Sequence, residues 1–222
     1  MKKYLIVIMA ACCLLSGCGV KAQPSQPSQI PLTAEEAPAL VVNPLPATVR
    51  MENLADCTVA VSIDAGDIYL DDTGTMRMNF TVYDYELYDM VDIAALKEGD
   101  SIVLRDEIVL VSSIERSENG NVIINGGLDV GGHQLCTDES GVFYETGYND
   151  AKSWYAVGEA SFKVSPDFVF TDGSDLDNPP VTYYAGDFLT EGSGIFYHFV
   201  PSNTKIVIEG GEIIAMERVY IP

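Results

Sequence analysis

One short segment brings together residue types that could act on a ligand or bind it: Tyr83, Asp84, Tyr85, Glu86 and Tyr88. Two carboxylates at a suitable separation can hydrolyse a glycosidic bond. Tyrosine beside carboxylates can instead stack on a sugar ring and hydrogen-bond its hydroxyls. The segment therefore predicts a ligand-binding face, and a solvated strand face without a ligand is the alternative.

The sequence lacks a motif typical of nucleophilic catalysis. Its histidines are His133 and His198, and no Gly-x-Ser-x-Gly elbow is present. His198 shares an apolar row with Phe196 and Val200, which predicts a core position. His133 follows two glycines in a predicted turn, so we expect it to be exposed. Cys136 lies near His133 in sequence, but thiol–base pairs form in space. These features favour a domain that is not an enzyme.

Acidic residues in one loop make calcium the metal that the composition favours, because calcium binds clustered oxygen ligands. The loop carries Asp172, Asp175, Asp177 and Asn178. Their spacing does not fit the EF-hand pattern. An acidic surface loop without a metal is the alternative, and no other cofactor is expected.

Short strands are the elements that must position these residues. Apolar and polar residues alternate from Met76 to Val82, which places one row in a core and the other in water. Many further short apolar runs are separated by Gly-rich turns. This pattern predicts an all-β fold, as an antiparallel sandwich or one or more small barrels. One short helix is predicted near 89–98, capped by Asp89 and ended by Gly99.

The alternation of apolar and polar residues in the Met76–Val82 strand changes at its end. Continued past Val82, the apolar row reaches Asp84 and Glu86, while Tyr83 and Tyr85 fall on the other row. A bulge or a strand end near Tyr83 would reconcile the two rows.

The globular domain is predicted to span residues 48–222, which is long enough to bury a large core. A weak internal similarity between 101–111 and 205–215 leaves open whether it has one lobe or two. Two related lobes would cover about 48–116 and 150–222, but any two hairpins would show the same similarity.

The segment 18–47 is rich in proline, serine and glutamine. Such a segment cannot bury enough apolar surface to offset the entropy lost on ordering. It therefore predicts a disordered tether in front of the globular domain.

The N-terminus has the features of an export signal. Lys2 and Lys3 precede an apolar run, Tyr4–Leu15, of about 12 residues, where a membrane-spanning helix needs about 20. The sequence Leu15-Ser16-Gly17-Cys18 then resembles the lipobox of bacterial lipoproteins. That resemblance implies a signal peptide, 1–17, and diacylglycerol on the thiol of Cys18. It further implies lipid anchoring of the chain at the extracytoplasmic face of the cell membrane.

Cleavage there would leave Cys57 and Cys136 as the remaining unmodified cysteines. An even pair outside the cytoplasm can form a disulfide, which here would close a long loop. Two buried thiols are the alternative.

The chain is strongly acidic, with 12 Lys and Arg against 33 Asp and Glu. Nucleic acid is therefore not expected as a partner, because phosphate binding requires a basic surface. The charge leaves neutral ligands such as sugars, basic peptides and cations as candidates.

Together these features predict a lipid-anchored, extracytoplasmic, non-enzymatic domain that binds a glycan, peptide or protein ligand. An extracytoplasmic hydrolase with paired carboxylates and a structural or accessory envelope protein are the alternatives.

Overall fold

In a computed structural model of the protein, the structure describes residues 39–148, 151–190 and 198–221. This part is mostly β, with one five-stranded barrel and one short helix, which confirms the predicted all-β class. The predicted signal peptide, Cys18 and the tether up to residue 38 lie outside the described residues. Within those ranges, no helix has the length and hydrophobicity needed to cross a membrane.

Short strands account for most of the regular structure. In chain order they are β1 Val41–Val42, β2 Cys57–Ser62, β3 Ile68–Leu70, β4 Met76–Asp84, β5 Leu87–Tyr88, β6 Ser101–Leu104, β7 Glu107–Leu110, β8 Ile114–Arg116, β9 Val122–Ile124, β10 His133–Thr137, β11 Phe143–Thr146, β12 Tyr155–Gly173, β13 Val181–Tyr184, β14 Thr204–Glu209 and β15 Glu212–Val219. The helix α1 spans Met90–Ala95, and 3-10 turns span Met51–Asn53, Leu128–Val130 and Ala185–Leu189.

Five of these strands close into a barrel around the larger hydrophobic core. β2 pairs with β4 and β14, β4 also pairs with β12, and β15 pairs with both β12 and β14. All of these pairings are antiparallel except that of β12 with β15. β3 and β13 extend the sheet beside β4 and β12.

The long strand β12 closes the barrel, because its first part pairs with β4 and its second part with β15. Its register against β15 shifts between Val164 and Val169. Pro166 lies at this irregularity, where a proline is tolerated in a sheet. This irregularity allows the single strand β12 to pair with both β4 and β15.

In chain order, the barrel strands run around the ring as first, second, third, fifth and fourth, and the fourth pairs with the first. The third and fifth are parallel. This is the strand order of the OB-fold, a five-stranded Greek-key barrel. The 3-10 turn between the third and fourth strands places Phe188 in the barrel core.

The predicted alternation in β4 is confirmed. The inward row is buried and consists of Met76, Met78, Phe80, Val82 and Asp84. β4 ends at Asp84, and the facing strand β12 has a register shift between Ala156 and Gly158. β4 therefore ends near Tyr83, as predicted. Its inward-facing row continues to Asp84, the last residue of the strand.

The chain between β4 and β12 builds a second hydrophobic core. Two sheets, β1-β6-β7 and β5-β11-β10-β9-β8, contribute side chains to it together with α1. The side chain of Asp89 accepts a hydrogen bond from the N–H of Val91 and caps α1, as the sequence predicted.

The predicted boundary of the tether at residue 47 is wrong. Val41 and Val42 pair in parallel with Ser101 and Ile102, and Val42 is 1% exposed. The apolar side chains between the prolines are enough to dock this segment on the second core. The fold therefore includes residues 39–47.

Of the two alternatives left open by the sequence, the strand pairing does not support two separate lobes, 48–116 and 150–222. β4 pairs with β12, and β2 pairs with β14, so both proposed lobes contribute to one barrel. The two similar segments are hairpins, β6–β7 and β14–β15, in different sheets. Their similarity reflects hairpin pattern alone.

Candidate functional site

A cleft of about 310 Å³ opens on the outer surface of the barrel, beside the predicted residues Tyr83 and Tyr85. Its floor is formed on β2 by Thr58 and Ala60. In the sheet, Ala60 is paired with Tyr83 on one side and with Lys205 on the other. A small residue between two long ones leaves a depression, so the sequence of three neighbouring strands produces the cleft.

Trp154, the single tryptophan of the chain, lines the same cleft immediately before β12. It is partly buried, and its ring makes an edge contact with Tyr85, with centroids 4.9 Å apart. Tyr144 also makes an edge contact with Tyr85, and their ring centroids are 6.1 Å apart. Edge contacts of this kind hold aromatic rings in fixed orientations.

Lys152 completes this group. Its Nζ donates a 2.7 Å hydrogen bond to the Oη of Tyr85 and lies 3.8 Å from the centroid of the same ring. The Nζ is also 5.1 Å from the centroid of Tyr144. An isolated bridge between Lys152 and Thr146 ties this residue to β11. The cleft therefore combines aromatic surface with a positioned ammonium group.

Asp84, predicted as a ligand-binding carboxylate, has a structural role. Its oxygens accept hydrogen bonds from the N–H and hydroxyl of Thr48 at 2.9 and 2.8 Å, and from the N–H groups of Val49 at 3.0 Å and Tyr85 at 2.9 Å. The residue is 2% exposed. Because its oxygens are occupied by protein donors, it is poorly suited to acid–base chemistry at the cleft.

Glu86 and Tyr88 contact each other and do not line the cleft. Tyr88 is fully buried, and the single proton of its hydroxyl lies between two acceptors, Glu86 at 2.5 Å and the carbonyl of Val103 at 2.8 Å. Burial, followed by the hydrogen bond to Glu86, raises the pKa of the Tyr88 hydroxyl well above its usual value. Glu86 also accepts from the N–H of Arg105. The structure thus places Tyr83, Asp84 and Tyr85 at the cleft and Glu86 and Tyr88 outside it.

A second polar group, which the sequence did not reveal, lies at the second core. Glu145 is 4% exposed and lies between Arg105, at 3.0 Å from Nε to Oε2, and the imidazole of His133, at 2.7 Å from Nδ1 to Oε1. These contacts tie β10 and β11 to the turn between β6 and β7. Removing Arg105 would leave a buried carboxylate poorly compensated.

Both histidine predictions are wrong. His133 was expected to be exposed, but it begins β10 and contacts Glu145. His198 was expected in the core, but it is exposed and has a φ of 53°. The contact of His133 with Glu145 could not be identified from the local pattern, because Glu145 lies on another strand.

The acidic loop does not gather its side chains around one point. Asp172 pairs with the guanidinium of Arg218, whose Nε lies 2.9 Å from Oδ1. Asp175 accepts from the amide of Asn178 at 2.8 Å and from the N–H of Asp177 at 2.9 Å. In the described ranges, no group of three or more acidic, histidine or cysteine side chains could hold a metal. Calcium binding stays a prediction.

Cys57 and Cys136 do not form a disulfide with each other. Cys57 begins β2 of the barrel, and Cys136 lies on β10, in the five-stranded sheet beside the second core. Burial, with a smaller contribution from Asp56, raises the pKa of the Cys57 thiol, which disfavours the reactive thiolate.

Sequence reasoning identified the tyrosines of the cleft but missed Lys152 and Lys205. The available signal was the rarity of basic residues, with 12 in 222, combined with the Lys152-Ser153-Trp154 sequence. Lys205 carried no local signal, because its position in the cleft depends on the pairing of β14 with β2.

No known protein family, curated protein or solved structure matches this chain. The likeness to the OB-fold rests on strand order alone, and a fold by itself does not indicate a function.

Proposed function

We propose that this chain is a lipid-anchored, extracytoplasmic binding protein that recognises a saccharide in the cleft beside Trp154 and does not catalyse a reaction. The observation that carries the proposal is the contact of Trp154, Tyr85 and Lys152 at one cleft. Aromatic rings held in fixed orientations offer apolar faces to a sugar ring, while the hydroxyl and ammonium groups can bind its oxygens.

The construction of the cleft favours binding over catalysis. Asp84 is the carboxylate that lines it, and its oxygens accept hydrogen bonds from Thr48, Val49 and Tyr85. A glycosidase needs a pair of carboxylates that face the substrate. Asp84 is turned towards the backbone, so the hydrolase alternative gains no support from this geometry.

The charge of the barrel argues against nucleic acid. A second depression, on the surface formed by β4 and β12, is lined by Asp64, Asp67 and Glu159. In OB-folds the surface of the second and third strands is a common site for oligonucleotides and oligosaccharides. Carboxylates there repel phosphate, which agrees with the acidic composition of the chain.

Fluorescence of Trp154 tests this function directly, because the chain has a single tryptophan. The full-length protein in detergent is titrated with oligosaccharides from bacterial cell walls and from plant and animal polysaccharides. We expect a saturable change in the emission with at least one of them. Tyr85→Ala should abolish the change, whereas Tyr69→Ala, on β3 outside the cleft, should not.

Circular dichroism of each variant checks that the fold is retained. If no oligosaccharide alters the emission, the saccharide-binding function is contradicted, and a structural or accessory role in the envelope becomes the better explanation.

A further inference from the structure

The cleft has a local charge opposite to that of the whole protein. The chain carries 33 acidic and 12 basic residues, yet Lys152 and Lys205 both line this one depression. Lys152 approaches it from the segment before β12, and Lys205 from β14. Two elements that are distant in sequence thus bring ammonium groups to the same surface.

These two lysines differ from Lys163 and Arg218, which form ion pairs. Lys163 lies 2.8 Å from Glu212, and Arg218 pairs with Asp172. Within the described ranges, neither Lys152 nor Lys205 has a carboxylate within ion-pair distance. The hydroxyl of Tyr85 accepts a hydrogen bond from Lys152 and positions its ammonium. After the hydrogen bond from Ser140, the charge of Lys152 also helps to lower the pKa of the Asp138 carboxyl, which lies beyond ion-pair distance.

The one carboxylate in the cleft does not neutralise them. Asp84 is 2% exposed, and its oxygens accept hydrogen bonds from the segment Thr48–Val49 and from Tyr85. The lysines, rather than Asp84, are therefore the charged groups that a ligand would contact. Lys152 is partly buried, so its attraction for an anion is screened less than that of a fully exposed lysine.

We propose that the ligand is an acidic saccharide whose carboxylate or sulfate group binds Lys152 and Lys205. Because Lys152 and Trp154 both contact Tyr85, an anionic group on a ring that stacks against Trp154 is within reach of the ammonium. Hydrogen bonds between charged partners are stronger than those between neutral ones. This inference rests on the proposed saccharide-binding function and specifies its ligand class.

Matched ligand pairs test it. The full-length protein is titrated with an oligogalacturonate and its methyl ester, and with a carrageenan oligosaccharide and its desulfated form, while Trp154 emission is followed. In at least one pair we expect the acid to bind about tenfold more tightly than its neutral partner. Lys152→Gln should remove this preference. Lys97→Gln, which changes the charge equally at an exposed lysine outside the cleft, should retain it.

The outcomes separate the inference from the function on which it rests. Equal binding of the acids and their neutral partners would overturn the acidic ligand while leaving saccharide binding in place. If none of the four compounds binds while a neutral oligosaccharide of the wider screen does, the acidic ligand is overturned and saccharide binding stands; if no saccharide of either set binds, both proposals are contradicted.

A measurement without a ligand gives an independent test of the local charge. Iodide and caesium both quench exposed tryptophan, and they carry opposite charges. Although the protein is acidic, we expect the ratio of iodide to caesium quenching constants for Trp154 to exceed that of free N-acetyltryptophanamide at matched ionic strength. Lys152→Gln should lower this ratio, whereas Lys97→Gln should not. A ratio in the unmodified protein at or below that of N-acetyltryptophanamide would contradict a positive cleft.

Discussion

The carboxylate of Asp84 accepts hydrogen bonds from both the backbone N–H and the hydroxyl of Thr48, at 2.9 and 2.8 Å. The two residues are 36 positions apart, and the contact fixes the segment before the barrel to the end of β4. The same segment forms one wall of the cleft. The side chain of Asp84 therefore contributes both to the stability of the fold and to the shape of the candidate site.

We expect Asp84→Ala to lower the free energy of unfolding by about 3 kcal/mol, because it leaves the N–H groups of Thr48 and Val49 without their acceptor. Urea unfolding of the variant and the parent protein measures the difference. Asp72→Ala is the control, since Asp72 is exposed, and its effect should stay within about 0.5 kcal/mol. An equally small effect of Asp84→Ala would show that these hydrogen bonds contribute little.

Much of the fold could be predicted because its signals are local. The alternation in β4 and the Asp89 cap of α1 depend on neighbours within a few residues. The start of the fold could not be predicted in this way. Val42 is buried by its pairing with β6, some 60 residues later, in a segment whose composition resembles a linker.

The candidate site was only partly predictable for the same reason. Tyr83 and Tyr85 share one strand end with Asp84, so the sequence placed them together. Lys152 reaches Tyr85 across a separation of 67 residues, and that contact depends on the whole chain between β4 and β12. Asp84 looked like a ligand-binding group because its partner, Thr48, lies 36 residues earlier, outside the local pattern of the strand.

The proposed membrane anchor depends on the thiol of Cys18. If the lipobox is used, Cys18→Ser should abolish labelling by a radioactive fatty acid and release the protein from the membrane fraction, because the acyl chains provide the anchor. Cys57→Ser is the matched control and should remain labelled and membrane-bound. Equal labelling and retention of the Cys18→Ser protein would contradict lipidation at this residue.

The pair formed by Asp172 and Arg218 predicts a pH dependence of stability. Burial raises the pKa of the Asp172 carboxyl, but hydrogen bonds from Arg218 and Ser174 outweigh it, so the pKa is lowered in the folded protein. Ionised Asp172 therefore stabilises the fold at pH values above its unfolded pKa of about 4, and this contribution is lost as the pH falls through the folded pKa.

The measurement is a comparison of the protein with Asp172→Asn by urea unfolding between about pH 7 and pH 3. We expect the variant to be less stable at neutral pH, because Arg218 is 6% exposed and loses its charged partner. Below about pH 4 the difference should shrink, since Asp172 becomes protonated in the parent protein as well. Asp177→Asn, in the exposed part of the same loop, should follow the parent at every pH. A difference for Asp172→Asn that stays constant across this range would show that the charge of Asp172 does not stabilise the barrel.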